Sequence, residues 1–312
     1  MNEPRIVALG GGHGLSASLS ALRRVTTDLT AVVTVADNGG SSGRLRDEFG
    51  VPPPGDLRMA LAALCGDDRW GQTWAHVLQH RFESEGDLNG HAVGNLLIVA
   101  LWELLGDHVD GLEWVGDLLG ARGRVLPMAT TPIDIVGRAR MSDDEDAELT
   151  EVRGQVAVAT TPGLVDVRLE PASPPATPAA VEAIRRADLV VLGPGSWYTS
   201  VLPHLLVPDL RAAITQTSAR VVVTMNLIAQ PGETEGFAPE DHLEVLRLHA
   251  PELRVDAVVA DVGSVTRPDA LREHARLLGA ELRLVEIADP GLPGVHDAAK
   301  LARAYASLAS LS

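Results

Sequence analysis

Residues 5–23 read RIVALGGGHGLSASLSALR, and the fold turns on how this stretch is parsed. RIVALG (5–10) is a short apolar run of strand character, and 14–24 places Leu15, Leu19 and Leu22 on one side of a helix. Between them GGGHG (10–14) makes a turn whose backbone can approach a ligand with no Cβ in the way. The helix N-terminus that follows offers unpaired N–H groups and a partial positive charge to a phosphate. Gly12, Gly14 and Ala17 satisfy G-x-G-x-x-A, and Asp37 ends the next apolar run, LTAVVTVAD (29–37). The pattern has the strand–turn–helix context that phosphate contact needs; the bland alternative is a tight turn with no ligand.

The same alternation continues along the chain. ADLVVLGPG (187–195), ARVVVTMNL (219–227), VDAVVAD (255–261) and ELRLVEIAD (281–289) each end in Gly, Asn or Asp, and helical patterns separate them. Strands this uniformly apolar are buried on both faces, which predicts an α/β fold with a mostly parallel sheet flanked by helices. The expected organisation is one domain over 1–312, with a helical subregion over 66–125 and a small β extension over 126–170. GRVLPMAT, IDIVGRARM, QVAVAT and LVDVRLE supply the β segments of that extension, around an acidic tip, SDDEDAE, read as a solvated turn. The proline-rich PASPPATPAA (171–180) is a stiff connector with a helix start at Thr177–Pro178.

Composition narrows the function. Hydrophobic residues make up 46% and charged residues 22%, an ordinary globular balance. A net charge of -16, with Lys300 the only lysine, disfavours nucleic acid as a partner, and 3% aromatics leave little for base stacking. Cys65, the only cysteine, excludes an intrachain disulfide and a cysteine-clustered metal site, and reads as a small buried hydrophobe. The greasiest stretch, LLIVALWELL, is too short to span a bilayer and contains Glu103, and no secretory leader opens the chain. The expected location is the cytoplasm.

Four further stretches carry polar candidates. In VADNGGSSGRLRDEF the Gly and Ser residues can form a nest of N–H groups, with the Ser41 and Ser42 hydroxyls as added donors and Arg44 and Arg46 facing a phosphate; the alternative is a solvated loop in which Asp37 caps its own turn. In PPPGDLRMALAAL, Asp56 is placed to cap a helix, while Arg58 stands in a first turn whose dipole does not favour it, so that a binding role would explain it. GHAVGNLL puts His91 and Asn95 at another helix start. LGPGSWYTSVLPHLL repeats a glycine turn after a strand, with Gly193, Gly195 and Ser196 as a second anion cradle, and NLIAQPGETEGF adds Asn226 and Gln230 from a neighbouring strand end.

In this order GGGHGLSASLSALR, TAVVTVADNGGSSGRLR, PPGDLRMALAAL, GHAVGNLL, LGPGSWYTSVLPHLLV, NLIAQPGETEGF and HDAAKLA resemble the bacterial gluconeogenesis-factor proteins (the YvcK group) over residues 5–302. These are relatives of the 2-phospho-L-lactate transferases (CofD) of deazaflavin-coenzyme synthesis. The resemblance implies a Rossmann-like fold with a helical addition, and a protein that binds UDP-sugars such as UDP-N-acetylglucosamine. It also implies a link between gluconeogenic growth, peptidoglycan supply and cell shape, without assured turnover, and leaves room for a homodimer. Carried over by motif, Gly11, Gly12, His13 and Gly14 meet the diphosphate, and Asp37, Asn38, Ser41 and Ser42 lie beside the nucleotide. Asn95, Ser196, Thr199 and Asn226 join the same cleft.

Two departures matter. His13 stands where the family pattern has threonine, and Asp37–Asn38 stands where it has two aspartates. One carboxylate and an amide hold Mg²⁺ less well than two carboxylates. The transferase alternative, with Asp37 as catalytic and metal-binding residue and Mg²⁺ as cofactor, is weakened accordingly. A NAD-linked oxidoreductase, resting on G-x-G-x-x-A and Asp37 alone, is the third reading.

Overall fold

The computed structural model describes residues 3–141 and 148–310; the acidic tip expected to be a solvated turn falls almost wholly outside them, at 142–147. The main sheet has seven parallel strands. They are β1 (Ile6–Gly10), β2 (Leu29–Val33), β3 (Arg124–Pro127), β7 (Leu189–Leu192), β8 (Arg220–Thr224), β9 (Ala257–Asp261) and β10 (Glu281–Val285). Their spatial order is β10-β9-β8-β7-β1-β2-β3. The chain thus builds outward from β1 through β2 to β3, then returns to the other side of β1 and builds outward from β7 to β10. The reversal sits between β1 and β7, whose registers align Leu9 with Leu192. Open α/β sheets bind their ligands at such a point, beyond the carboxyl ends of the strands.

All five residues of β1 and of β2 are buried, as expected for strands covered on both faces. Each fully buried leucine or valine in them is worth about 1.5–3 kcal/mol of transfer from water. The expectation of two covered faces fails at β10, whose residues are half-buried or exposed, because it is the edge strand. A second sheet of three antiparallel strands, in the order β5-β4-β6, joins β4 (Asp134–Ala139), β5 (Thr150–Arg153) and β6 (Leu164–Glu170).

Helix α1 (Gly12–Leu22) follows β1 and packs on α3 (Gly55–Leu64) and on the C-terminal helix Ala298–Ala309. Buried Tyr305 of that last helix ties α1 to the sheet: its hydroxyl lies 3.1 Å from Ser18 Oγ and 2.9 Å from Thr224 Oγ1. Between α1 and α3 comes α2 (Gly40–Phe49), followed by α4 (Arg69–Gln79), α5 (Val93–Leu105) and α6 (His108–Leu119). The connector ends as expected, with Pro178 opening the helix Pro178–Arg186. Cys65 is buried with its thiol on Leu61 O, and burial pushes its pKa up to about 11.

Two segments differ from the sequence-based expectation. The GGSSG nest is no loop: Gly40–Phe49 is helical, closed at its end by Gly50 in the left-handed region (φ 66°). QVAVAT is not a strand but a short helix, α7 (Gln155–Thr160), although its alternation of Val and Ala suits a strand. Its start is held from far away, because Asn38 Oδ1 accepts the Val156 N–H at 3.1 Å.

Candidate functional site

The loops leaving β1 and β7 meet at the reversal. A Cβ on Gly14 would lie 1.9 Å from Pro194 O, so only glycine lets the first turn of α1 rest on the 193–196 loop. Gly11 is walled in by Asp56, Thr34 and Ser200, whereas a Cβ on Gly12, at φ +56°, would meet only Asp56 Oδ1, at 3.9 Å. A cavity of about 390 Å³ lies in front of Gly12. Gly11, Gly12, His13 and Gly14 form one side of it, Asp56 its base, and Gly195, Ser196 and Thr199 the other side. Gln155, Val156, Ala159 and Thr160 of α7 complete the lining, with Ser200 and Gln230.

Helix α1 enters this cavity with no side chain of its own over its N-terminus, and its first N–H, that of Gly12, meets the Asp56 carboxylate. Gly11 caps it without a side chain, and the first turn carries no acid. Its leading N–H groups lack intrahelical acceptors, and together with the helix dipole they favour an anion.

The second expected cradle does not face a ligand in this way. Glu233 fills it: its Oε1 accepts from Ser196 Oγ (2.7 Å), Tyr198 N (2.6 Å) and Thr199 N (3.1 Å). The carboxylate sits at the start of a wide helical turn, Trp197–Val201, closed by i→i+5 bonds such as Leu202 N to Trp197 O. Wide turns of this kind gather at functional sites. Glu233 is buried, which raises its pKa against the lowering effect of these donors. Nothing near Glu233 in sequence signals this role, since its partners lie some 35 residues earlier.

Asn226 holds the same loop from the other side. Its Oδ1 accepts Gly195 N–H at 2.7 Å and its Nδ2 donates to Gly195 O at 2.8 Å. Both polar atoms of its amide are committed to positioning Gly195, and beyond it a second cavity of about 310 Å³ is lined by Asn226, Ile228, Phe237, His242 and Thr266. Residues 225–229 line this second cavity, and the next residue, Gln230, lines the first.

Several expected site residues turn out to be braces. Ser41 and Ser42 are buried in the first turn of α2, where the Ser41 oxygen meets His91 Nδ1 (3.0 Å) and Asn95 Nδ2 (3.0 Å). Asn95 reaches Ser42 Oγ as well, so these groups lock α2 to the start of α5 rather than projecting toward a ligand. The Arg44 guanidinium donates to the carbonyls of Asp87 and Asn89, and that of Arg46 pairs with Asp134; neither faces a phosphate. Asn38 is spent on α7. Arg58 turns into a different cavity, behind α1.

The carboxylates are arranged differently from the adjacent pair that the motif suggested. Asp37 Oδ1 accepts Gly39 N–H at 2.8 Å, and its Oδ2 lies against Gly55, next to Asp56 in sequence. Asp37 is therefore not a free strand-end acid awaiting a ribose. Asp56 is not a cap: Pro54 precedes α3, with no side-chain cap. Burial first, and then the neighbouring Asp37 charge, push the Asp56 pKa up to about 7, while the Gly12 N–H and Arg58 act the other way. The second carboxylate that Asn38 fails to supply thus comes from α3.

Two carboxylates completed by ligand phosphate oxygens is the usual donor set for Mg²⁺. Asp56 lines the cavity, and Asp37, close enough to raise its pKa, would complete such a set; among the described residues no group of three or more His, Cys, Asp or Glu could hold a metal by itself. Such a cation would supply charge neutralisation between these carboxylates and a diphosphate. Among the described residues no helix is long and apolar enough to cross a membrane.

Comparison with known proteins agrees with this fold. The family profile of 2-phospho-L-lactate transferase CofD matches residues 6–288. A putative gluconeogenesis factor of Mycobacterium tuberculosis is 54% identical over 301 residues, covering 95% of this chain and 88% of that protein. A gluconeogenesis factor of Halalkalibacterium halodurans is 41% identical over 250 residues, covering 80% and 74%. The crystal structure of a UPF0052-family protein from Bacillus halodurans superposes with a TM-score of 0.86 at 35% identity, covering 97% of this chain and 99% of that one. The chain belongs to the CofD family, among the proteins named gluconeogenesis factors.

Proposed function

We propose that this protein binds a UDP-sugar of the UDP-N-acetylglucosamine kind, and through it links gluconeogenic carbon metabolism to cell-wall synthesis and cell shape. The observation that carries the reading is the N-terminus of α1 opening on a cavity at the sheet reversal with no acid in its own first turn, while the neighbouring 196–199 donors are already taken by Glu233. The diphosphate takes the N–H groups of Gly12, His13 and Gly14. Asp56, which lines the cavity, and Asp37 close to it would hold Mg²⁺, whose charge would offset theirs and that of the diphosphate. The two cavities, lined by successive residues at Ala229 and Gln230, suit a ligand with two bulky ends, and half-buried Phe237 offers a ring face for a base. The relatives' name, gluconeogenesis factor, supports the metabolic side of the proposal.

Titration calorimetry with UDP-N-acetylglucosamine, with and without Mg²⁺, tests the binding. Saturable heat is expected, and none at millimolar ligand under either condition overturns the reading.

The carboxylate pair favours a second reading, a phospholactate-type transferase in which Asp37 and Asp56 would hold Mg²⁺ against the donor diphosphate. Incubation with a deazaflavin acceptor, the guanosine-activated phospholactate donor and Mg²⁺ then yields a phosphodiester, as the acceptor hydroxyl displaces GMP from the phospholactate phosphorus. Absence of that product dismisses it.

A further inference from the structure

Behind the glycine turn a separate open groove of about 560 Å³ lies between α1, α3 and α4. His13, Arg58, His76 and Arg81 line it together with Met59, Ala62 and Ala75, and among the described residues no carboxylate does. In a chain of net charge -16 this is an unusual concentration of positive charge.

At the base of the groove Arg58 is 4% exposed. Its guanidinium donates to Gln79 Oε1, its Nε has no partner, and among the described residues no ion pair reaches it. Arg81, its neighbour in the groove, donates to the Gly90 carbonyl and likewise pairs with no carboxylate among the described residues.

Three unfavourable terms therefore meet at Arg58. Its charge is buried without a counter-ion. It stands in the first turn of α3, at the positive end of the helix dipole. A second arginine shares its cavity. Asp56 and Asp37 lie on the far side, beyond ion-pair distance, and offset this in part. An oxyanion seated in the groove relieves all three, because a guanidinium accepts it bidentately.

We propose that this groove is a binding site for a small phosphomonoester, separate from the nucleotide cleft. The phosphate lies on Arg58 and Arg81, with His13 and His76 beside it, and the organic part rests on Met59, Ala62 and Ala75. His13 lines both cavities, so the occupant abuts the wall of the nucleotide cleft and is placed to modulate it.

The test is calorimetry with phenyl phosphate, which carries both an apolar body and the dianion, in a chloride buffer of fixed ionic strength. Binding to the wild type should weaken about tenfold in Arg81→Gln, the loss of one charge-assisted contact. Arg81 is exposed, so this variant keeps its fold where Arg58→Gln, tested in parallel, could lose it. Gly12→Val should keep phenyl phosphate affinity within about twofold, because it alters the other cavity. No binding above the chloride control overturns the proposal. So does binding that survives Arg81→Gln and is lost in Gly12→Val, since that places the phosphate in the glycine cleft. A protein that binds phenyl phosphate but not UDP-N-acetylglucosamine would sink the nucleotide reading and leave this one standing.

Discussion

Replacing Asp56 by Asn isolates the electrostatic feature at the centre of the site. The Asp56 pKa rises from 3.8 to about 7 on folding, so the folded protein holds a proton that the unfolded chain has lost over that interval. Ionising Asp56 in place costs stability, and the cost grows as pH climbs from about 4 to 7. The full gap corresponds to a ceiling of roughly 4 kcal/mol, and water on the open side of the cleft brings the expected figure to about 2 kcal/mol. Asn has no such cost. Urea unfolding of wild type and Asp56→Asn, in metal-free buffer at half-unit steps from pH 4 to 8, should show the variant gaining about 2 kcal/mol on the wild type, chiefly below pH 7. Asp37→Asn should shrink that gain, since Asp37 is the second cause of the shift. The comparison must be between variants because His204 pulls the other way. A stability difference flat to within about 0.5 kcal/mol across the range would refute the enclosed carboxylate pair.

The glycines of the turn separate fold from function. Gly14→Ala drives a Cβ into the Pro194 carbonyl and should cost about 3 kcal/mol or more in the same unfolding assay. Gly12→Val meets only Asp56 Oδ1, 3.9 Å from its Cβ, should lose about 1–2 kcal/mol to its positive φ, and should abolish UDP-sugar heat in calorimetry. Asn38→Ala removes the acceptor that starts α7, so limited proteolysis should cut near 154–160 faster while the melting temperature moves little. His204 is fully buried with Nε2 at 3.0 Å from Val32 O, and burial pushes its pKa down to about 4. It stays neutral in the folded protein while the unfolded chain protonates near 6.5, so stability should fall by up to about 3 kcal/mol as pH drops from 6.5 to 4. A ring titrating above pH 5.5 by NMR would contradict that.

Much of the fold was legible because it is locally encoded. Uniform apolar runs such as RIVALG and LTAVV can only be strands covered on both faces, and glycine turns mark their carboxyl ends. The convergence of Gly11–Gly14 with Gly195, Ser196 and Thr199 follows from that pattern plus the ligand position typical of such sheets. What escaped depends on partners remote in sequence. Ser41, Ser42 and Asn95 read as ligand donors until their hydroxyls and amide are seen to bond one another across some 50 residues. QVAVAT reads as a strand until Asn38 caps it, and the Ser196 cradle reads as vacant until Glu233 arrives from a distant loop. Asp37–Asn38 alone reads as a single carboxylate, whereas a second, Asp56, stands near Asp37 from the start of α3. Polar side chains in glycine-rich motifs are equally suited to bind a ligand or to brace the loop that does.

A crystal structure of the protein soaked with UDP-N-acetylglucosamine and Mg²⁺ tests the central claim most directly. The account predicts the diphosphate within hydrogen-bond distance of the Gly12–Gly14 N–H groups, facing Asp37 and Asp56, with Glu233 still bonded to Ser196 and Thr199. A diphosphate seated on the 195–199 turn with Glu233 displaced, or a ligand absent from the cleft between β1 and β7, would contradict it.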